Sequence, residues 1–170
     1  EEMAVSSTNF MLGFKCPPVP DGEERMRLDI LGDLACDVLM GESSPLFTRL
    51  YSQGLINGTF DSAYDLLPGA AYVFCGGDSN DPEAVQQAVL DEARRVVREG
   101  VDPAYVQRIR RASFGASIKS LNSFEAIAST AAEGCFQGYD PFRFPEVYDS
   151  ITQQGLLDFI RDNIRPERMA

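Results

Sequence analysis

The sequence contains no histidine and no tryptophan among its 170 residues. The absence of histidine excludes a Ser-His-Asp or Cys-His catalytic arrangement, a histidine general base and histidine-ligated zinc within this chain. Basic residues are also few, with 15 lysines and arginines against 26 aspartates and glutamates, so the formal net charge is −11. A negative field of this size repels phosphate backbones and anionic lipids. We therefore expect neither nucleic-acid binding nor electrostatic docking to a membrane.

The four cysteines, at positions 16, 36, 75 and 135, are too dispersed to form a C-x-x-C pair. Their spacing gives no support to a zinc ribbon or a thioredoxin-like motif. Each lies in an apolar stretch, so we expect buried, reduced thiols, with disulfides as the alternative. The sequence also has no long hydrophobic run and no basic leader before one. These features predict a cytoplasmic protein without a transmembrane span.

Hydrophobic periodicity predicts an α+β fold. Alternating residues indicate a strand over 3–15, and the Pro68-Gly69 turn indicates a hairpin of strands over 56–64 and 70–76. Capping residues and helical spacing predict helices that follow Asp21, Ser44, Asp81, Asp102, Asn122 and Thr152. This order is typical of a small, mostly antiparallel sheet covered by helices on one face, similar to a split β-α-β unit that lacks its last strand.

No repeat, low-complexity tract or linker divides the sequence, so residues 1–170 are predicted to form a single domain. We expect this domain to be a fragment of a longer protein, because the polypeptide after Arg165 is expected to turn back into the sheet. In the helix after Asn122, five apolar residues recur at helical spacing: Phe124, Ile127, Ala128, Ala131 and Cys135. They are therefore expected to face the core.

Two further patterns have simple structural explanations. The segment Gly76-Gly77-Asp78 lacks the spacing of a phosphate-binding or calcium-binding loop, so turn residues between a strand and a helix are the simpler interpretation. The arginines over 94–98 and 108–111 lie on the outer faces of amphipathic helices, with Asp91, Glu92 and Glu99 interleaved, which is typical of a solvated helix face rather than a nucleic-acid site. Composition and spacing thus predict an acidic domain without a self-contained catalytic site.

Three segments carry a resemblance to a known family. They are the entry strand with Met3-Ala-Val-Ser6 and Asn9-Phe-Met-Leu-Gly-Phe-Lys15, the segment Leu39-Met-Gly-Glu-Ser43-Ser44-Pro-Leu-Phe-Thr-Arg-Leu50-Tyr-Ser-Gln-Gly-Leu55, and the hairpin and helices that run to Ile151-Thr152. They resemble the C-terminal, non-zinc half of the pitrilysin or insulinase-type zinc metallopeptidases, or inverzincins, which include the mitochondrial processing peptidases. The resemblance covers essentially the whole chain, and the entry strand is most similar to a bacterial subgroup.

The resemblance implies a protein whose two homologous halves close around an unfolded peptide. In this family the first half carries an H-x-x-E-H motif, in which two histidines bind zinc and the glutamate acts as a base. The second half has no metal site and forms the opposing wall. The implied partners of this chain are therefore the N-terminal catalytic half and an unfolded peptide, with a homodimer as a further possibility. No cofactor is expected in this chain, and zinc is expected in the N-terminal half.

Active family members place an arginine and a tyrosine of this half near the scissile bond, in the pattern Leu-Arg-x-x-x-Gly-Leu-x-Tyr. In this sequence Tyr51 stands at the arginine position counted from Leu50, and Asn57 stands at the tyrosine position counted from Gly54-Leu55, with one residue fewer between them than in the pattern. Arg49 lies two residues earlier, about 200° around a helix, and cannot substitute. The resemblance thus implies no catalytic and no metal-binding residue here. The implied substrate-facing candidates are Tyr51, Asn57, Ser43 and Ser44.

Three functional hypotheses remain open at this point. The leading one is the non-catalytic C-terminal domain of a zinc endopeptidase, which forms the wall of a peptide-binding chamber. The alternative is a domain of a catalytically inactive homologue that acts as an assembly or scaffold subunit. A third is a small-ligand module with a ferredoxin-like sheet. An upstream H-x-x-E-H motif supports the first hypothesis, and its absence supports the second.

Overall fold

Helices and a three-stranded antiparallel sheet make up residues 8–170, the part of the chain that the computed structural model describes. The strands are β1 (Thr8–Cys16), β2 (Asp61–Leu67) and β3 (Ala70–Ser79). The helices are α1 (Glu23–Met40), α2 (Pro45–Ser52), α3 (Pro82–Glu99), α4 (Pro103–Ser120), α5 (Phe124–Gln137), α6 (Phe144–Ser150) and α7 (Gln153–Asn163). The predicted α+β fold is confirmed. The part of the predicted first strand over 3–7 lies outside the described residues.

The sheet has the strand order β1-β3-β2, and the Pro-Gly turn joins β2 to β3 as predicted. The turn between β2 and β3 has a positive φ of 77° at Gly69, which glycine adopts without strain. Strand β2 begins five residues later than predicted. Strand β3 extends to Ser79, so the predicted glycine-rich turn is wrong: Gly77 pairs with Phe10 of β1. A side chain at Gly77 would lie 2.8 Å from the Cα of Phe60, so glycine allows this close approach.

One face of the sheet carries the core. Leu12 and Phe14 of β1 are buried on this face, whereas Met11, the residue before Leu12, is 76% exposed on the other. Helices α1, α3 and α7 contribute fully buried side chains such as Leu34, Val89 and Ile160 to the same core. The alternation places apolar side chains on the helix side of the sheet. The prediction that helices cover one face is therefore confirmed.

Four helices begin at predicted caps whose side chains accept a backbone N–H of the first turn: Ser44, Asp81, Asp102 and Thr152. Two predicted starts are wrong by one residue. Helix α1 begins after Gly22 without a side-chain cap rather than after Asp21, and Ser123 rather than Asn122 caps α5. The cap types support the general rule that Ser, Thr and Asp satisfy the free N–H groups at a helix start.

The segment between α5 and α7 contains a helix that the sequence did not predict, α6. Tyr148 of this helix is buried, and its hydroxyl lies 2.7 Å from Oγ of Ser113 in α4. The Phe114 ring meets the Tyr148 ring edge-on at 5.3 Å. After α7 the polypeptide returns to the sheet, where Met169 bridges Phe14 in antiparallel fashion.

Helix α5 departs from the predicted burial. Of its 14 residues, Gly134 is the buried one, and Phe124 is 92% exposed. Ala128 and Cys135 are exposed as well, and Ile127 and Ala131 are only partly covered, so the prediction that this stripe faces the core is wrong. Cys135 is thus a surface thiol, whereas the other three cysteines are buried, and all four are unpaired. None of the helices within residues 8–170 is long and apolar enough to cross a membrane.

Candidate substrate-facing site

A cleft of about 650 Å³ opens where the end of α1, the start of β2 and helix α4 meet. Its polar lining includes Asp37, Glu42, Ser43, Thr59 and Asp61. The lining offers carboxylates and hydroxyls but no lysine or arginine. Ser43 therefore has no basic side chain beside it in the cleft that would activate its hydroxyl as a nucleophile.

The two predicted serines occupy different environments. Ser43 is exposed and lines the cleft. Ser44 is fully buried, and its Oγ accepts the backbone N–H of Phe47 at 3.0 Å. Ser44 thus stabilises the start of α2, and only Ser43 of the pair is available to a ligand.

Tyr51 lies on the exposed side of α2, with 56% of its surface accessible. Its ring stacks on that of Phe47, with the centroids 5.9 Å apart and the planes inclined by 13°. The Phe47 ring in turn lies 6.1 Å from that of Phe60, which lines the cleft. Tyr51 is therefore the outer end of an aromatic row that runs from the cleft to the surface.

Asn57 forms the turn that leads into β2. Its Oδ1 accepts hydrogen bonds from the backbone N–H of Thr59 at 2.8 Å and from the Thr59 hydroxyl at 2.6 Å. Its Nδ2 lies 3.5 Å from a carboxylate oxygen of Asp78. Asn57 thus holds Thr59 at the rim of the cleft. The substrate-facing role of Tyr51, Asn57 and Ser43 stays a prediction.

An ion pair engages Arg49. Its Nη2 lies 3.3 Å from Oε2 of Glu92, and Arg95 donates to Oε1 of the same carboxylate at 2.7 Å. Burial opposes the ionisation of Glu92, whose side chain is 4% exposed, but the two arginines lower its pKa below the ordinary value. This pair joins α2 to α3. The pairing of Glu92 with Arg95 follows from their i, i+3 spacing in the sequence, whereas the pairing of Glu92 with Arg49 does not.

Three aspartates follow one another at intervals of four residues on α1. Burial, together with the Asp33 and Glu133 carboxylates, raises the pKa of Asp29 to about 7. Burial also raises the pKa of Asp33 to about 6, although Asp33 accepts the backbone N–H of Tyr64. Burial raises the pKa of Asp37 as well. This row of aspartates was not predicted, although the i, i+4 spacing of identical acidic residues could have indicated it.

No group of three or more cysteine, aspartate or glutamate side chains in the described part of the chain could hold a metal ion. The order of elements, from the entry strand through the hairpin to the last helix, agrees with the predicted order apart from the additional helix α6. The chain belongs to the Peptidase M16 inactive domain family, whose sequence model matches residues 1–113. The family that the sequence resembled is therefore confirmed.

Similar proteins extend this result to the whole chain. The uncharacterized zinc protease YmfH of Bacillus subtilis is 26% identical over 171 residues, which cover 99% of this chain and 39% of YmfH. The structure of an M16-like peptidase from Alicyclobacillus acidocaldarius has a TM-score of 0.89 and 21% identity, over 98% of this chain and 40% of that one. The inactive peptidase domain of a zinc protease from Bordetella parapertussis has a TM-score of 0.79 and 12% identity, over 98% and 90%. The chain thus spans about two fifths of YmfH and of the Alicyclobacillus protein.

Proposed function

We propose that this domain is the non-catalytic wall of a peptide-binding chamber in a zinc endopeptidase, opposite a half that carries the zinc. This proposal rests on one observation: the Peptidase M16 inactive domain model matches this chain, while the chain covers only 39% of the zinc protease YmfH. The uncovered length of that relative is sufficient for a further half of similar size. We propose that half and an unfolded peptide as partners, and the cytoplasm as the location.

The geometry supports binding and enclosure rather than chemistry. The cleft presents the hydroxyls of Ser43 and Thr59 beside the backbone of Phe60, and Tyr51 extends the same surface outward through Phe47. Hydroxyls suit the polar backbone of an extended peptide, and exposed aromatic rings suit its side chains. Holding a peptide in position against a zinc-bound water is worth several kcal/mol of a reaction barrier.

The test uses the full-length protein that contains this chain. We expect Tyr51→Ala and Asn57→Ala to raise KM about 3- to 10-fold for peptide cleavage with little change in kcat, the mark of lost uniform binding. Phe142→Ala is the matched control, because Phe142 is an exposed aromatic residue that does not line the cleft.

Two outcomes would contradict the proposal. An unchanged KM in both alanine variants would show that this surface does not contact the peptide. A lost kcat, with KM and folding intact, would show that this half supplies a catalytic group.

One observation favours a second candidate function. Tyr51 and Asn57 stand where active members of the family carry an arginine and a tyrosine, and Arg49 is engaged with Glu92. The alternative proposal is therefore a catalytically inactive homologue that acts as an assembly or scaffold subunit, including a homodimer. Zinc analysis of the full-length protein distinguishes the two: one zinc per chain supports the peptidase, and none supports the scaffold.

A further inference from the structure

Helix α5 presents an apolar stripe to solvent. Phe124, Ala128, Ala131 and Cys135 recur at intervals of four, three and four residues, which places them along one side of a helix. Phe124, Ala128 and Cys135 are exposed and Ala131 is only partly covered. Helix α5 is anchored at its C-terminal end, where Gly134 packs on the following turn and the Gln137 carbonyl accepts the backbone N–H of Gly22 at 2.8 Å.

The sequence pattern of α5 is that of a helix packed against another element, which is why it predicted a buried face. A 14-residue helix is marginal in water unless one face is packed. Alanines at the centre of the stripe leave room for a neighbouring element to approach closely, with Phe124 at one end of the stripe. The stripe therefore needs a partner that residues 8–170 do not provide.

A second copy of this chain is a poor partner for the stripe. The helix is about 21 Å long and about 10 Å wide, so one face offers roughly 200–300 Å², against about 800 Å² per partner in a stable complex. Each copy carries a net charge of −11, and the charged residues of α5 are Glu125 and Glu133, so two copies repel each other. A contact of this size suffices when the partner is part of the same polypeptide, because the tether supplies an effective concentration in the millimolar range.

We infer that the α5 stripe (Phe124, Ala128, Ala131 and Cys135) is the surface on which the other half of the full-length protein docks. This inference rests on the proposed function, since it takes its partner from the length that relatives such as YmfH have beyond this domain. The half that docks covers the stripe with an apolar surface of its own. Cys135 then changes from an exposed thiol to a covered one.

The test measures the rate at which a maleimide labels Cys135 in the 170-residue chain and in the full-length protein. The comparison with the separate chain is meaningful because a Bordetella domain of the same extent was crystallised as a domain. The other three thiols do not compete, since they are buried and burial raises their pKa values. We expect labelling to be at least ten-fold slower in the full-length protein.

A charge in the stripe should undo this protection. In the full-length protein Ala131→Glu is expected to restore the labelling rate of the separate chain. Thr130→Glu is the matched control, because Thr130 is exposed on the opposite side of α5 and the same charge there should leave Cys135 protected. The wild-type comparison alone decides the question if the Ala131 variant does not fold.

Equal labelling of Cys135 in the two wild-type proteins would overturn the inference. Slow labelling in the 170-residue chain that becomes faster on dilution would also overturn it, because a second copy would then cover the stripe. The proposed function can fail independently of this inference. A protected Cys135 in a full-length protein without zinc would refute the peptidase function and support docking on the α5 stripe. An active peptidase with an unprotected Cys135 refutes only the interface.

Discussion

Gly32 of helix α1 is the position where a single methyl group should matter most. A Cβ atom at this position would lie 2.9 Å from the Cβ of Tyr64 and closer still to its ring. The Tyr64 side chain cannot move aside easily, because it is 4% exposed and its ring packs edge-on against Phe159 at 5.1 Å. Gly32→Ala would therefore push strand β2 away from helix α1.

Two opposing effects determine how much Gly32→Ala changes the free energy of unfolding. Replacing glycine by alanine inside a helix stabilises it by about 1 kcal/mol. Overpacking a dense core costs about 1–3 kcal/mol, and a contact this short belongs at the upper end of that range. We expect Gly32→Ala to lower the free energy of unfolding by about 2 kcal/mol. Gly115→Ala in α4 is the matched control: no atom lies within 4 Å of the new methyl group, so it should raise that free energy by up to about 1 kcal/mol.

Urea denaturation followed by circular dichroism measures both variants. The urea midpoints of the two variants are expected to move in opposite directions. A double-mutant cycle with Tyr64→Ala locates the clash, because Gly32→Ala should cost less once the ring is absent. If Gly32→Ala were neutral, or if its cost persisted unchanged without the Tyr64 ring, the close contact between α1 and β2 would not be the cause.

Two further predictions concern single side chains. The native pKa of Asp29, about 7, lies above that of an unfolded aspartate, so its stabilising contribution is complete below about pH 4 and is lost as the pH rises through 7. Asp29→Asn should thus raise the free energy of unfolding at pH 8 by about 2 kcal/mol, a figure reduced for solvent screening. In urea titrations between pH 4 and 8, the free energy of unfolding should also decrease less steeply in the variant than in the wild type. Ser44→Ala should lower the free energy of unfolding by about 1 kcal/mol, because the Ser44 hydroxyl caps α2. Ser43→Ala, at the exposed neighbour, should change it by less than about 0.5 kcal/mol in thermal unfolding. Equal effects of the two serine variants would refute the capping role.

The elements that the sequence predicted well are those whose signals are local. Asp81-Pro82 and Asp102-Pro103 mark helix starts because the cap and the proline act within one turn. Pro68-Gly69 marks the hairpin for the same reason. Helix α6 was missed because its stability depends on Tyr148 meeting a serine 35 residues earlier in the chain.

In the candidate site, too, local features were predictable from the sequence and contacts between distant residues were not. The resemblance indicated Tyr51 and Asn57 as positions to inspect, and Ser44 was recognised as a cap from its place before Pro45. The ion pair of Arg49 with Glu92 could not be predicted, because 43 residues separate the two side chains. The stripe on α5 was predicted correctly as a helix face and wrongly as core, since periodicity defines an apolar side but not which element covers it.

The outer edge of strand β2 has a consequence for aggregation. The Asp33 carboxylate accepts the N–H of Tyr64, and the Arg25 guanidinium donates to the carbonyl of Leu66 at 2.8 Å. Another strand that added to this edge would first have to break both charge-assisted hydrogen bonds, each worth about 1.5–3 kcal/mol. Helix α1 thus acts as a gatekeeper for the edge strand beside it, and it protects the hairpin from templating intermolecular β-structure.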